Sequence, residues 1–147
     1  MPSMRNRKVR NSLLERMQRL TPASVRRWGQ MDAARMICHL SDALAMALGD
    51  LPVKPGKPGP FQRFPFKHLF LYFMPMPKGV STAPELLSTS PARFEDDRRL
   101  VEERIHRLAA APRGAGPVHP FFGPLTNDQW NVLQHKHIDH HLKQFGL

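Results

Sequence analysis

Apolar and polar positions alternate along this chain with a helical period in four principal stretches, with a shorter apolar segment between the second and third. Val9, Leu13, Leu14, Met17 and Leu20 fall on one side of Arg7 to Leu20 with Arg and Glu between them, which predicts a first amphipathic helix behind a loose basic start at residues 1–10. Asp32 opens a second, more apolar pattern that runs to Leu48, where Gly49 sits in the usual position just past a helix end. A short apolar helix is predicted over Phe64 to Phe73, closed by Met74-Pro75-Met76-Pro77. Ser90 and Pro91 suggest a cap and first residue for a helix over Ala92 to Ala110, whose charged side pairs Glu95 with Arg99 and Glu103 with Arg107. Thr126, with Asp128 in the first turn, begins a last helix that Gly146 ends.

Pro52 to Pro60 and Pro112 to Pro124 are too rich in proline and glycine to continue a helix and are predicted as irregular connections. No segment shows sustained strand alternation. The expectation is therefore one all-α domain spanning 1–147, built as a four-helix bundle with long Pro/Gly-rich connections.

Composition adds two constraints. Lys and Arg number 22 against 12 Asp and Glu, a formal charge of +10, so an anionic partner is one function class, with the Arg-rich start and Lys54, Lys57, Arg63 and Lys67 as its contact residues. The charge is spread along the chain and accompanies no groove-reading motif, which argues against specific nucleic-acid binding. Cys38 is the only cysteine, so no internal disulfide can form, and the expected compartment is the reducing cytoplasm. The start lacks the apolar run of a secretory signal, and the apolar stretch Phe61 to Pro77 is broken by three prolines, so no membrane partner is expected.

The chemistry lies in the histidines. His135, His137, His140 and His141 fall within seven residues of the last helix. On a helical wheel His141, Gln144, Trp130 and Leu133 all lie within about 40° of His137, while His135 points away and His140 sits at the edge. Two imidazoles one turn apart on an apolar arc can converge on one metal ion. A third ligand is expected from another helix, and His39, within about 80° of Met36, Ala43, Met46 and Ala47, is the inward histidine there. His68, His106 and His119 are read as structural or surface residues. Cys38 and His39 are neighbours about 100° apart, so they make no nucleophile pair, and Cys38 reads as a buried apolar residue. No phosphate-cradling loop and no nucleophile elbow occurs.

Met36-Ile37-Cys38-His39-Leu40-Ser41-Asp42, together with His137-Ile138-Asp139-His140-His141-Leu142-Lys143-Gln144, resembles the DinB/YfiT-like superfamily of metal-binding four-helix bundles. Pro77-Lys78-Gly79, Thr82-Ala83-Pro84-Glu85, His119-Pro120, Phe122-Gly123 and Gln144-Phe145-Gly146 narrow the likeness to a bacterial subgroup of uncharacterised function. The resemblance spans Leu20 to the C-terminus. It implies a single metal held by one early histidine and two late ones, matching His39, His137 and His141. It also implies activities among thiol-dependent transferases, isomerases, hydrolases and amidases. Lys143 stands where many members carry glycine.

Two functions follow. A metal-dependent hydrolase or thiol-dependent transferase would use one divalent transition metal, zinc or nickel first and iron, cobalt or copper next. It would act on a small-molecule substrate, with a low-molecular-weight thiol as a candidate partner and a homodimer as a candidate assembly. Asp42, about 60° from His39, would orient that ligand or carry a proton, and Gln144 would hydrogen-bond water or substrate. The alternative is a non-catalytic module, metal-stabilised or basic. An open coordination position facing a pocket favours the enzyme, whereas a fourth protein ligand and no cavity favours the scaffold.

Overall fold

The computed structural model describes residues 1–80 and 82–147. Its helices are α1 (Arg7–Gln18), α2 (Ala33–Leu48), α3 (Phe66–Tyr72), α4 (Phe94–Ala110) and α5 (Asn127–Gln144), and one antiparallel pair, β1 (Ala115–His119) and β2 (Gly123–Thr126), precedes α5. Helix dominates, and the small sheet is the departure from an all-α chain.

α2 is buried nearly all round, from Met36 through Ala47, and it is the element against which α4 and α5 pack. A helix without a polar face must lie inside, because only neighbouring helices can cover it. Its ends are specified locally. Asp32 accepts the Arg35 amide at 2.8 Å, and Gly49 takes the left-handed conformation (φ 80°) that lets the Asp50 amide reach back to the Ala45 carbonyl at 2.9 Å. α5 begins with a reciprocal capping box between Thr126 and Gln129.

Three predicted features change. The start of the chain is tied down, since Met4 is buried, Arg5 pairs with Asp128, and Asn6 caps α1. α4 begins at Phe94 instead of Ala92, with Arg93 in the capping position. Ser90 and Pro91 lie outside it, and Asp97 accepts the Ala92 amide at 3.0 Å from within the first turn. Its arginines pair at i, i+3 with Glu95 and Asp96, and Arg107 reaches Asp50 on the α2 side.

The connection over 112–124 contains the β-hairpin. β1 carries Gly116 and Pro117 and its register shifts between Ala115 and Val118, so no clean alternation is written into it. Proline is tolerated because every strand of a two-stranded sheet is an edge. The turn is fastened by a side chain: His119 Nδ1 accepts the Phe121 amide at 3.0 Å and the Phe122 amide at 3.2 Å.

Candidate metal centre

Two helices place the three histidines that the sequence singled out. His39 faces inward from the middle of α2, and His137 and His141 stand one turn apart on α5, so packing α2 on α5 closes the triangle. One ring nitrogen of each lies within 4.8 Å of the others, and among the described residues these three form the cluster able to hold a metal ion. His137 Nε2 is 3.0 Å from both His39 Nε2 and His141 Nε2. His39 and His141 are buried and His137 partly so. His135 and His140 stay outside the triangle, as their angles predict; His140 packs edge-on to Trp28.

The hydrogen bonds around the rings fix their protons. His39 Nδ1 donates to the Leu86 carbonyl at 3.1 Å, and His141 Nδ1 donates to Gln144 Oε1 at 2.6 Å. A carbonyl oxygen can only accept, so in the neutral rings both Nε2 atoms are bare lone pairs aimed inward. His137 Nε2 carries at most one proton, which cannot point straight at both acceptors. At least one 3.0 Å contact therefore lacks a well-directed proton in a partly buried setting, which is unfavourable without a cation. Nitrogens bound to one ion at about 2.0–2.1 Å sit roughly 3 Å or slightly more apart, so the spacing suits a metal.

Electrostatics keeps the donors neutral. Burial pushes the His39 and His137 pKa values down, His137 further through the like charges that His141 and His39 would carry, and His141 falls to about 3 for the same first reason. Neutral imidazole is the form that binds metal.

Asp42 and Gln144 both make side-chain hydrogen bonds near the cluster. Asp42 is buried, and its carboxylate accepts the Thr89 hydroxyl at 2.5 Å and the Thr89 amide at 3.1 Å instead of bonding His39. Arg35 donates to the carbonyls of Leu87 and Thr89. α2 thus straps down residues 84–89, the segment whose Leu86 carbonyl orients His39. Gln144 spends its carbonyl on His141, so it positions a ligand. Gly29 (φ 85°) makes room for it, because a Cβ there would lie 2.5 Å from the Gln144 amide nitrogen.

Sequence reasoning missed the Leu86 carbonyl, Thr89, Arg35 and Gly29. A main-chain oxygen leaves no residue-type signature, although Arg35 and Asp42 flanking His39 on one helix are a trace of what they hold. Cys38 is buried, with its thiol pushed up to about 11 chiefly by burial, which leaves it unreactive. A cavity of about 350 Å³ lies on the outer side of α5 by Trp28, Lys78 and His140, and none of the three clustered histidines lines it.

The sequence matches the family described as protein of unknown function (DUF1569) over residues 7–146. The chain belongs to the DUF1569 family. No curated protein and no solved structure matches this DUF1569 member. No described helix of it is long and apolar enough to cross a membrane.

Proposed function

We propose that this DUF1569 protein is a metal-dependent enzyme of the DinB/YfiT-like kind, a hydrolase or a thiol-dependent transferase, with His39, His137 and His141 as ligands to one divalent transition metal. The observation that carries the reading is the convergence of three Nε2 atoms, two of them stripped of protons by carbonyl partners. An all-imidazole donor set suits zinc or nickel, and accepts iron, cobalt or copper. An ion held by three imidazoles keeps a position for an outside group and lowers the pKa of water or a thiol brought there.

The chain's own residues do the preparation. Leu86 and Gln144 hold His39 and His141 in the metal-binding tautomer, and Asp42 with Arg35 keeps the Leu86 carbonyl in place. The cluster holds no carboxylate or thiolate among the described residues, which meets the open-position half of the enzyme criterion. A low-molecular-weight thiol is the co-substrate this reading favours, and the cytoplasm its compartment.

Cobalt loading tests the proposal. The Co(II) protein should show visible bands of low-coordinate nitrogen ligation, and a small thiol should add a thiolate-to-cobalt charge-transfer band. A spectrum unmoved by thiol, azide or cyanate would mean a closed coordination sphere and would contradict the enzyme reading.

A further inference from the structure

The arm between α2 and α4 is chemically unlike the rest of the molecule. From residue 51 to residue 84 it carries five cations, Lys54, Lys57, Arg63, Lys67 and Lys78, and no carboxylate. Its helix α3 is apolar on both sides. One side is seated on the body, with Phe70 against Phe122 at 4.9 Å between ring centroids and Leu71 buried. The Lys67 ammonium donates to the Pro124 carbonyl at 2.8 Å, and the Lys136 ammonium donates to the carbonyls of Phe70 and Met74.

The other side has no cover. Phe66, Leu69 and Phe73 lie within about 60° on the wheel and are all exposed, and Phe64 and Phe73 are each 79% exposed. The patch continues through Phe61 to Phe121, 5.0 Å apart, and beside it the Gly56 amide bonds the Pro120 carbonyl at 3.0 Å. A Cβ at Gly56 would collide with that carbonyl, so glycine there lets the Lys54–Lys57 loop lie against the aromatic patch. Lys54, Lys57 and Arg63 are exposed and form no salt bridge among the described residues.

We propose that this face docks on an anionic phospholipid bilayer, with Phe64, Phe66, Leu69 and Phe73 entering the headgroup–acyl boundary and Lys57 and Arg63 meeting lipid phosphates. Protruding aromatic tips beside unpaired cations match a bilayer that is apolar within and negative at its surface. A second copy of the chain is a poorer occupant, because a two-fold interface would bring the same cations face to face. A nucleic-acid strand is poorer too, since stacking needs a lined groove and these side chains stand out from the surface. The absence of a spanning helix is compatible with such docking, which needs none.

Vesicle flotation decides the matter, comparing pure phosphatidylcholine with phosphatidylcholine plus phosphatidylserine. The wild-type protein should float with the anionic vesicles and stay behind with the neutral ones, and added salt should release it. Phe64→Ser with Phe73→Ser should lower partitioning by about tenfold or more, and Lys57→Glu with Arg63→Glu should abolish the preference for anionic lipid. Both pairs are on the surface, and unchanged circular dichroism would show that each variant folds. Failure of the wild-type protein to float, or equal flotation of the aromatic variant, overturns the proposal. So does a vesicle-free dimer that the aromatic substitutions convert to monomer, or a single-stranded oligonucleotide that competes through the same aromatics. The metal-site reading is independent of every one of these outcomes.

Discussion

Two pairs of histidines share one helix and meet opposite surroundings. His137 and His141 face α2, where a third imidazole and two carbonyl acceptors complete a triangle; His135 and His140 face outward, toward the basic side of α5 and Trp28. Burial lowers the pKa of all four, so titration alone does not separate them. What separates them is partnership: only the inner pair has its nitrogens aimed at one point. A few tens of degrees around a helix axis decide whether a histidine is a ligand candidate or a surface side chain.

Breaking the inner pair should have the largest effect. His137→Ala or His141→Ala should lower metal affinity by roughly 100-fold or more, and His39→Ala should weaken it strongly, because two donors rarely retain an exchangeable ion. Elemental analysis after dialysis checks this.

Acid tests a half-buried histidine outside the triangle. His119 falls from 6.5 to about 4 by burial, and its Nδ1 must stay unprotonated to accept two amides. The folded state thus binds this proton less readily than the unfolded chain. Its contribution to stability is intact above pH 6.5 and is lost as pH falls toward 4, by on the order of 3 kcal/mol. His141, lowered to about 3, adds loss of the same sign. Urea unfolding of metal-free protein at several pH values should show the decline, and His119→Asn, which keeps an acceptor, should flatten it.

Gln144 sharpens the comparison from the side of orientation. Gln144→Leu removes the acceptor for His141 and should weaken metal binding by about tenfold, while Gln144→Glu, which restores an acceptor, should recover it. A chelator competition titration reads both. The smallest effect belongs to the outer pair: His135→Ala and His140→Ala should leave metal content within about twofold of wild type, since neither nitrogen faces the cluster.

The helices were legible because α2 and α5 carry both period and caps, as Asp32, Gly49 and Thr126 show. The triangle was legible for the same reason, since an inward position on each of two helices is a one-dimensional property. The hairpin was hidden by Gly116 and Pro117, which read as loop and are accepted only because both strands are edges. The true start of α4 was hidden by Ser90-Pro91, a good cap signal that lost to Asp97 acting from inside the helix. The partners of Asp42 and Gln144, Thr89 and His141, were not legible because they are set by side-chain reach and by a loop fold that no local pattern encodes.

Metal analysis of protein prepared without a His-tag and without chelator, beside a variant lacking His39, His137 and His141 together, tests the central claim most directly. The account predicts close to one equivalent of a divalent transition metal in the wild-type protein and almost none in the triple variant. Stoichiometric metal retained by a folded triple variant would contradict it.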